Sequence, residues 1–554
     1  MKQFLFIMFF MCSLYSQGQK WHVKINGQNE FQTQTIDSIG YTSSFNNPDD
    51  QFNEKKAFTE KLLKLGFLEH ELLTTKKLND STFLYTYELG KKTKTIHIYI
   101  SNIYNIKEWG MYRVKNDTLT LPFSESELFL NATLKKLESD GFSMAKIHLA
   151  HLNRKKDFVT ADLIISSSKK RILNDIVING YEKFPIGYTN NLKRIYKKRA
   201  FNQDNIDRLY RDVSQYRFVK QTKYPEILFT KDSTKLFVYL EKAKANSFDG
   251  FIGFTNDENS KLIFTGNVDL KLMNLLNSGE KLALYWKSNG KDQRTFNINV
   301  VIPYIFKSPI GLKTQLNIFK QDSTYQNTST SFNLGYYFNY NTRVYLGYQA
   351  TESSDIKNTN SLLLSDYKNT FYTTNFEYND YDPNMILFPE KSSISMLFGS
   401  GRRDSKFQQN HQFFGNLLFK HHFYLNAKNS INIKSQNYYL QSEAYITNEL
   451  YRYGGINSIR GFNENSLQAT LLSSVLTEYC YILSPSLYLH SIFDYGYFQD
   501  KTTSSSGNLM GLGFGFGLLT KNGLLNFVYA NGSTNNQAIK LSNSIIHISL
   551  KTNF

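Results

Sequence analysis

Residues 510–518 read MGLGFGFGL, and that order permits few folds. Met510, Leu512, Phe514, Phe516 and Leu518 take the even positions, while Gly511, Gly513, Gly515 and Gly517 take the odd ones. Successive side chains of a strand point to opposite faces, so this segment has one wholly apolar face and one bare face. A GxGxxG nucleotide loop is excluded, because Phe516 stands where its third glycine belongs. The bare face leaves room for another part of the chain to pack against it.

The same period of two runs through the whole second half. After residue 246 the helical period disappears. Alternating segments follow one another at hairpin spacing at 248–255, 262–270, 279–287, 295–303, 311–320, 331–340, 343–350 and 370–378. They continue at 392–399, 412–418, 430–440, 469–483, 487–498, 508–518, 523–531 and 544–554. No run approaches the roughly 20 apolar residues that a membrane helix needs. The 38 Tyr, 44 Phe and 31 Gly against only 9 Pro suit strands that show one face to lipid and one to a lumen. These alternating segments predict a transmembrane β-barrel over residues 246–554.

The chain before that point reads differently. Residues 1–18 have a lysine, an apolar run over 4–11 and then small polar residues, which predicts a cleaved signal peptide, cut after Ser16 or Gly18. Its removal takes Cys12 with it and leaves Cys480 alone, so no intrachain disulfide is expected. Residues 124–141 predict the clearest helix. Ser124 and Glu127 form a capping box, Leu130, Leu134 and Leu137 share a face, and Gly141 supplies the stop. Strands at 146–152 and 158–165 follow it. The unit recurs upstream as helix 53–65 with strands 82–89 and 95–100, after an irregular stretch at 35–49. Downstream it recurs as strand 171–179, helix 202–216 and strands 226–230 and 235–240. Phe67, Phe142 and Phe218 mark the three copies at intervals of 75 and 76 residues, a period that indicates repeated small domains.

Within the barrel region one loop stands out, YGGINSIRGF at residues 453–462. It carries Gly454, Gly455, Ile459, Arg460, Gly461 and Phe462, and about thirty residues later IFDYG places Asp494 on a predicted strand. From the residues alone, the loop either faces solvent with an incidental arginine or folds into the barrel. In the second case the guanidinium needs a carboxylate, because a charge taken out of water is costly unless paired. The dispersed positive charge (net +17) suits solvation or anionic lipid, and nucleic acid is not expected as a partner. There is no HExxH, GxSxG, P-loop or Cys/His cluster of metal spacing, and His421-His422 reads as a solvated pair in a turn. No catalytic, cofactor or metal residues are expected.

IRGF followed by FDYG resembles the two most characteristic motifs of the POTRA-barrel assembly superfamily of bacterial outer membranes. That family includes the barrel assembly machinery, the translocation-and-assembly module and the two-partner secretion transporters. The resemblance implies an α+β class: periplasmic POTRA repeats followed by a C-terminal 16-stranded antiparallel transmembrane β-barrel. It divides the chain into a degenerate POTRA-like domain at 19–101, a POTRA-like domain at 102–168, a POTRA domain at 169–245 and the barrel. It implies that Gly455, Ile459, Arg460, Gly461 and Phe462 form a lumen loop meeting Phe493, Asp494 and Gly496 on the wall. Gly511, Gly513, Gly515 and Gly517 would face it, and Leu550 and Phe554 would form the terminal signal read by the assembly machine. The implied role is assembly or insertion of unfolded outer-membrane client proteins in a Gram-negative bacterium, with outer-membrane lipid and an inner-membrane or periplasmic subunit as further partners. The alternative is a secretion pore of the two-partner type or a gated channel.

Overall fold

A computed structural model describes residues 20–100, 112, 114–167, 169–256, 262–289, 293–521, 523–535 and 544–554. The expected signal peptide lies outside these residues. Two compact units emerge, one holding the first two small sheets and the other joining the third sheet to the barrel.

In the first unit, strand Trp21–Gly27 pairs in parallel with Thr82–Glu88, which forms a hairpin with Glu71–Asn79. Helices Glu30–Ile39 and Pro48–Leu65 cover this sheet, burying Ile36, Phe58 and Leu62 on Val23, Ile25, Tyr85 and Tyr87. The stretch read as irregular at 35–49 therefore begins inside a helix. Asn29 caps that helix by accepting from the Gln32 amide at 2.9 Å. Ile36 is its only buried residue, so its sequence shows no apolar stripe to detect.

The second sheet corrects a boundary. Thr95–Tyr99 pairs in parallel with Phe158–Ser166 and antiparallel with Thr118–Pro122, so it opens the second domain instead of closing the first. The boundary falls near residue 90, not 101. Alternation at Ile96, Ile98 and Ile100 announces a strand but carries no information on which sheet receives it. Helix Ser126–Ser139 buries Phe129, Thr133 and Leu137, and the capping box at Ser124 is absent. A 3₁₀ turn over Phe123–Glu125 leads into that helix, and the Ser126 hydroxyl donates to the Phe123 carbonyl at 2.7 Å.

The second unit begins with Asp175–Asn179, parallel to Thr234–Lys242, which pairs with Val219–Phe229. Helices Ile186–Tyr196 and Gln203–Ser214 pack on this sheet. Its helical face is fastened to barrel turns. The Tyr188 hydroxyl donates to the Gly279 carbonyl at 3.1 Å, and Asn191 donates to the Ser308 carbonyl at 3.2 Å. Arg194 donates to the Tyr337 carbonyl at 2.8 Å, and Gln215 exchanges two hydrogen bonds with the Tyr381 backbone.

The barrel strands are β1 Ser247–Asn256, β2 Leu262–Met273, β3 Lys281–Asn289, β4 Gln293–Ile302, β5 Ile310–Gln321, β6 Tyr325–Tyr337, β7 Thr342–Asp355 and β8 Tyr367–Tyr381. Then come β9 Glu390–Ser405, β10 Gln409–Tyr424, β11 Asn429–Gln441, β12 Leu471–Ser484, β13 Leu487–Asp500, β14 Ser505–Thr520, β15 Gly523–Thr534 and β16 Ile545–Asn553. Each pairs antiparallel with the next, and β16 returns to β1 to close the barrel. Faces alternate as lipid and lumen require: on β6, Phe332, Leu334 and Tyr336 are exposed while Asn333 and Tyr337 are buried. Several strands run longer than the alternation indicates. β6 starts at Tyr325 with the polar run YQNTSTS and β9 ends in Arg402-Arg403-Asp404-Ser405, so the apolar signal stops where pairing continues.

His421 and His422 also lie on a strand, β10, and not in a turn. The alternation sends His422 inward, where it is buried and stacked on Phe388, while His421 shares a hydrogen bond with Ser392.

The first two domains carry their own cores, so a fragment of residues 20–167 should fold in water with a mixed α/β circular dichroism spectrum. Ile98 is fully buried at the centre of the second core. Ile98→Ala should lower the stability of this fragment by about 2–5 kcal/mol, read as an earlier urea midpoint.

Candidate functional site

The connection between β11 and β12 does not cross the rim of the barrel but turns into its lumen. A short ladder of Tyr451–Tyr453 with Leu467–Ala469 forms its stem. Beyond the stem, Gly454 and Gly455 adopt positive φ of 101° and 98°, a conformation available to glycine at little cost. The chain then descends to Ile459, which is fully buried with Tyr453, Leu472, Leu476 and Leu509, and Phe462 packs on the same cluster.

Arg460 follows, only 4% exposed, and meets Asp494, which is fully buried on the inner face of β13. The pairing is fork to fork. Arg460 Nε donates to Asp494 Oδ2 at 2.9 Å and a terminal guanidinium nitrogen donates to Oδ1 at 2.5 Å. The Arg460 backbone amide also donates to Oδ2 at 2.9 Å, so Asp494 holds the loop's main chain as well as its charge. The other guanidinium nitrogen forms an ion pair with Glu478 on β12, and the Thr477 carbonyl accepts a further bond at 3.3 Å. Such bidentate geometry suits arginine and not lysine.

Close approach to the wall explains three glycines. Gly461 has a φ of 86°, and a Cβ there would lie 2.2 Å from the Gly532 nitrogen on β15. A Cβ on Gly532 would meet the Gly461 carbonyl at 2.6 Å, and one on Gly511 the Arg460 carbonyl at 2.5 Å. Gly496 gives way to the Ile459 side chain in the same manner.

The other sequence-selected residues divide. Gly513, Gly515 and Gly517 also lie on the inner face of β14, but they do not touch the loop. Added carbons would strike the backbone of β15, His490 and Tyr488 respectively, so neighbouring strands fill that space. Phe493 is 51% exposed on the outer face of β13, and with a period of two it cannot share a side with Asp494. It is therefore not a loop partner. Leu550 and Phe554 are exposed, and the Phe554 amide donates to the Asn246 carbonyl at 3.0 Å.

Several loop anchors carry no motif. Glu478 is one. At the stem, Glu449 forms a fully buried ion pair with Arg403 on β9 and accepts from Gln412 on β10 at 2.8 Å. At the far end, Glu464 reaches across the lumen to β3, where it accepts from the Tyr285 hydroxyl at 2.7 Å and pairs with Lys287. Glu478, Arg403 and Lys287 sit at inward strand positions, whereas Glu449 and Glu464 lie in turns, and an inward position does not say which charge meets which. A cavity of about 1330 Å3 remains beside the loop, lined by charges of both signs that include Lys281, Lys420, Lys434, Asp269 and Glu390.

Arg460→Ala and Asp494→Ala should each lower the temperature at which the barrel loses its compact gel mobility in detergent, since stripping a buried ion of its partner costs roughly 3–5 kcal/mol. Because the two residues act as one unit, the double variant should lose less than the sum of the single losses. Phe493→Ala should leave that temperature nearly unchanged.

Residues 274–544 match the Omp85 superfamily domain. No curated protein matches the chain. Among solved structures it is similar to CdiB from Acinetobacter baumannii, at 15% identity over 77% of this chain and 81% of that one, with a TM-score of 0.53. It is also similar to CdiB from Escherichia coli, at 11% identity over 91% and 98%, with a TM-score of 0.52. BamA from Haemophilus ducreyi lacking POTRA domains 1–3 matches at 15% identity over 78% and 94%, with a TM-score of 0.43. At such identities the CdiB structures speak for the fold alone. Residues 274–544 of this chain are therefore an Omp85 superfamily domain, folded as part of a sixteen-stranded barrel around its own arginine loop.

Proposed function

We propose that this protein promotes insertion of client polypeptides into the outer membrane through the junction of β1 and β16, and that its three small domains are POTRA domains receiving clients in the periplasm. The observation that carries this reading is the brevity of that junction. Among the described residues, the β1–β16 ladder has two pairs, Ser247–Asn553 and Phe248–Thr552, extended by one bond from the Phe554 amide to the Asn246 carbonyl. On either side the ladders are long: β1 pairs with β2 from Ser247–Lys271 to Asn256–Leu262, and β15 with β16 from Leu524–Lys551 to Ala530–Ile545. Unpaired N–H and C=O groups on β1 and β16 face a client strand ready to add by main-chain hydrogen bonding. In hydrocarbon such groups have no water to bond, which strengthens the pull on a pairing strand. Strand edges on the small sheets, such as Lys146–Lys155 and Val219–Phe229, would hold extended segments beforehand.

The second reading is a conduit in which the loop acts as the plug. The charged cavity beside the loop favours it, because a polar lumen suits a passing polypeptide or solutes.

One experiment separates the two. Cysteines at Phe248 and Thr552, in a Cys480→Ser background, should seal the junction by a disulfide on oxidation. We expect the sealed protein to lose its acceleration of client insertion into liposomes and to regain it on reduction. Client handling and planar-bilayer conductance that persist through the sealed state would establish the conduit and refute insertion through the junction.

A further inference from the structure

The ladder between β1 and β16 is a weak closure, two residue pairs against seven between β15 and β16. The lumen loop supplies a second tie across the same place. On one side of the junction Arg460 is bound to Asp494 on β13 and Glu478 on β12, and Gly461 lies against Gly532 on β15. On the other side Glu464 is bound to β3, with one carboxylate oxygen accepting from Tyr285 at 2.7 Å and the other paired with Lys287. The strands between these attachments are β16, β1 and β2, and they contain the junction.

The strap is a short run of turns over residues 460–465. Along the wall β15 and β3 are four strand spacings apart, roughly 19 Å at about 4.8 Å each. The three residues from Gly461 to Glu464 span at most about 10 Å when extended. The Glu464 and Lys287 side chains make the remaining connection to β3, so their contact is the link that separation of the two walls would load. His547, on β16 itself, lines the same cavity as Lys287 and Glu464. Glu464 and Lys287 are each partly shielded, with side chains 22% and 29% exposed, so solvent screens their attraction only in part.

We infer that Glu464, held by Lys287 and Tyr285, is a positioning residue that clamps the barrel across the β1–β16 junction from inside the lumen, and that the junction opens when this contact is released. The inference rests on the proposed opening of that junction, and the test keeps the two apart.

The readout is the rate at which Phe248→Cys and Thr552→Cys form a disulfide under mild oxidation, in the full-length Cys480→Ser protein in detergent. Barrel integrity is checked by the gel mobility shift. Glu464→Gln and Lys287→Met should each slow the reaction by about tenfold, the factor expected for one lost charge-assisted hydrogen bond, with the mobility shift retained. The exchange Glu464→Lys with Lys287→Glu should restore the rate, which a general loss of packing would not permit. A wild-type rate in Glu464→Gln, or no recovery in the exchange, overturns the clamp. Arg460→Ala frees the loop from the opposite wall and separates the two claims. If it slows the reaction while Glu464→Gln does not, the junction moves and the clamp is wrong. If neither variant changes the rate, the moving junction itself is refuted.

Discussion

The interior of this barrel depends on one desolvated guanidinium. Arg460 lies away from water, and only the Asp494 and Glu478 carboxylates with the Thr477 carbonyl offset that loss. A sixteen-stranded barrel encloses more space than its own wall side chains can fill. Here the loop occupies part of it, and the ion pair determines where. Once Arg460 is placed, Ile459 falls into the pocket of Tyr453, Leu472, Leu476 and Leu509, and Gly461 lies against Gly532. The apolar contacts alone would hold a loop inside without choosing its register. A planar fork matched to one carboxylate chooses it, and the Asp494 bond to the backbone amide fixes the main chain at the same residue.

That choice of register lets the remaining anchors meet their partners. Glu449 at the stem finds Arg403 and Gln412, and Glu464 at the tip finds Lys287 and Tyr285. Between them the Asn457 carbonyl accepts from Gln436 at 2.8 Å on β11, and Arg452 donates to the Tyr325 hydroxyl at 2.6 Å on β6. The loop thus bears on walls all around the lumen. Buried ion pairs add little net stability compared with apolar packing of the same volume. Their effect here is geometric, since each pair is lost if the loop slides by one residue.

The barrel was legible because its signal is local. Period two over Met510–Leu518 or Leu487–Asp500 states which side chains face inward whatever the neighbouring strand is. The same rule, applied strictly, places Phe493 outside and Asp494 inside, a point that a motif read as a block obscures. Pairing was not legible in this way. Ile96 and Ile98 announce a strand, yet only the partner Phe158–Ser166, some sixty residues later, assigns it to the second domain. Helix Glu30–Ile39 escaped because it buries a single residue. Glu464 and Glu478 escaped because an isolated acidic residue looks the same whether it faces water or an arginine.

The braces are unevenly distributed around the wall, and this bears on which part can move. The third small domain is fastened to turns that connect β2 to β3, β4 to β5, β6 to β7 and β8 to β9, through Tyr188, Asn191, Arg194 and Gln215. That arc is stiffened from outside the lumen. The opposite arc, β12 to β15, is stiffened from within by Arg460, Gly461 and the apolar cluster around Ile459. β1 and β16 belong to neither arc and, among the described residues, share the shortest ladder in the barrel. Strain between two stiff arcs collects where they are joined most weakly, because long ladders and docked turns resist it cooperatively. The junction of β1 and β16 is such a place, and Glu464 is the loop residue whose contact spans it from one arc to the other.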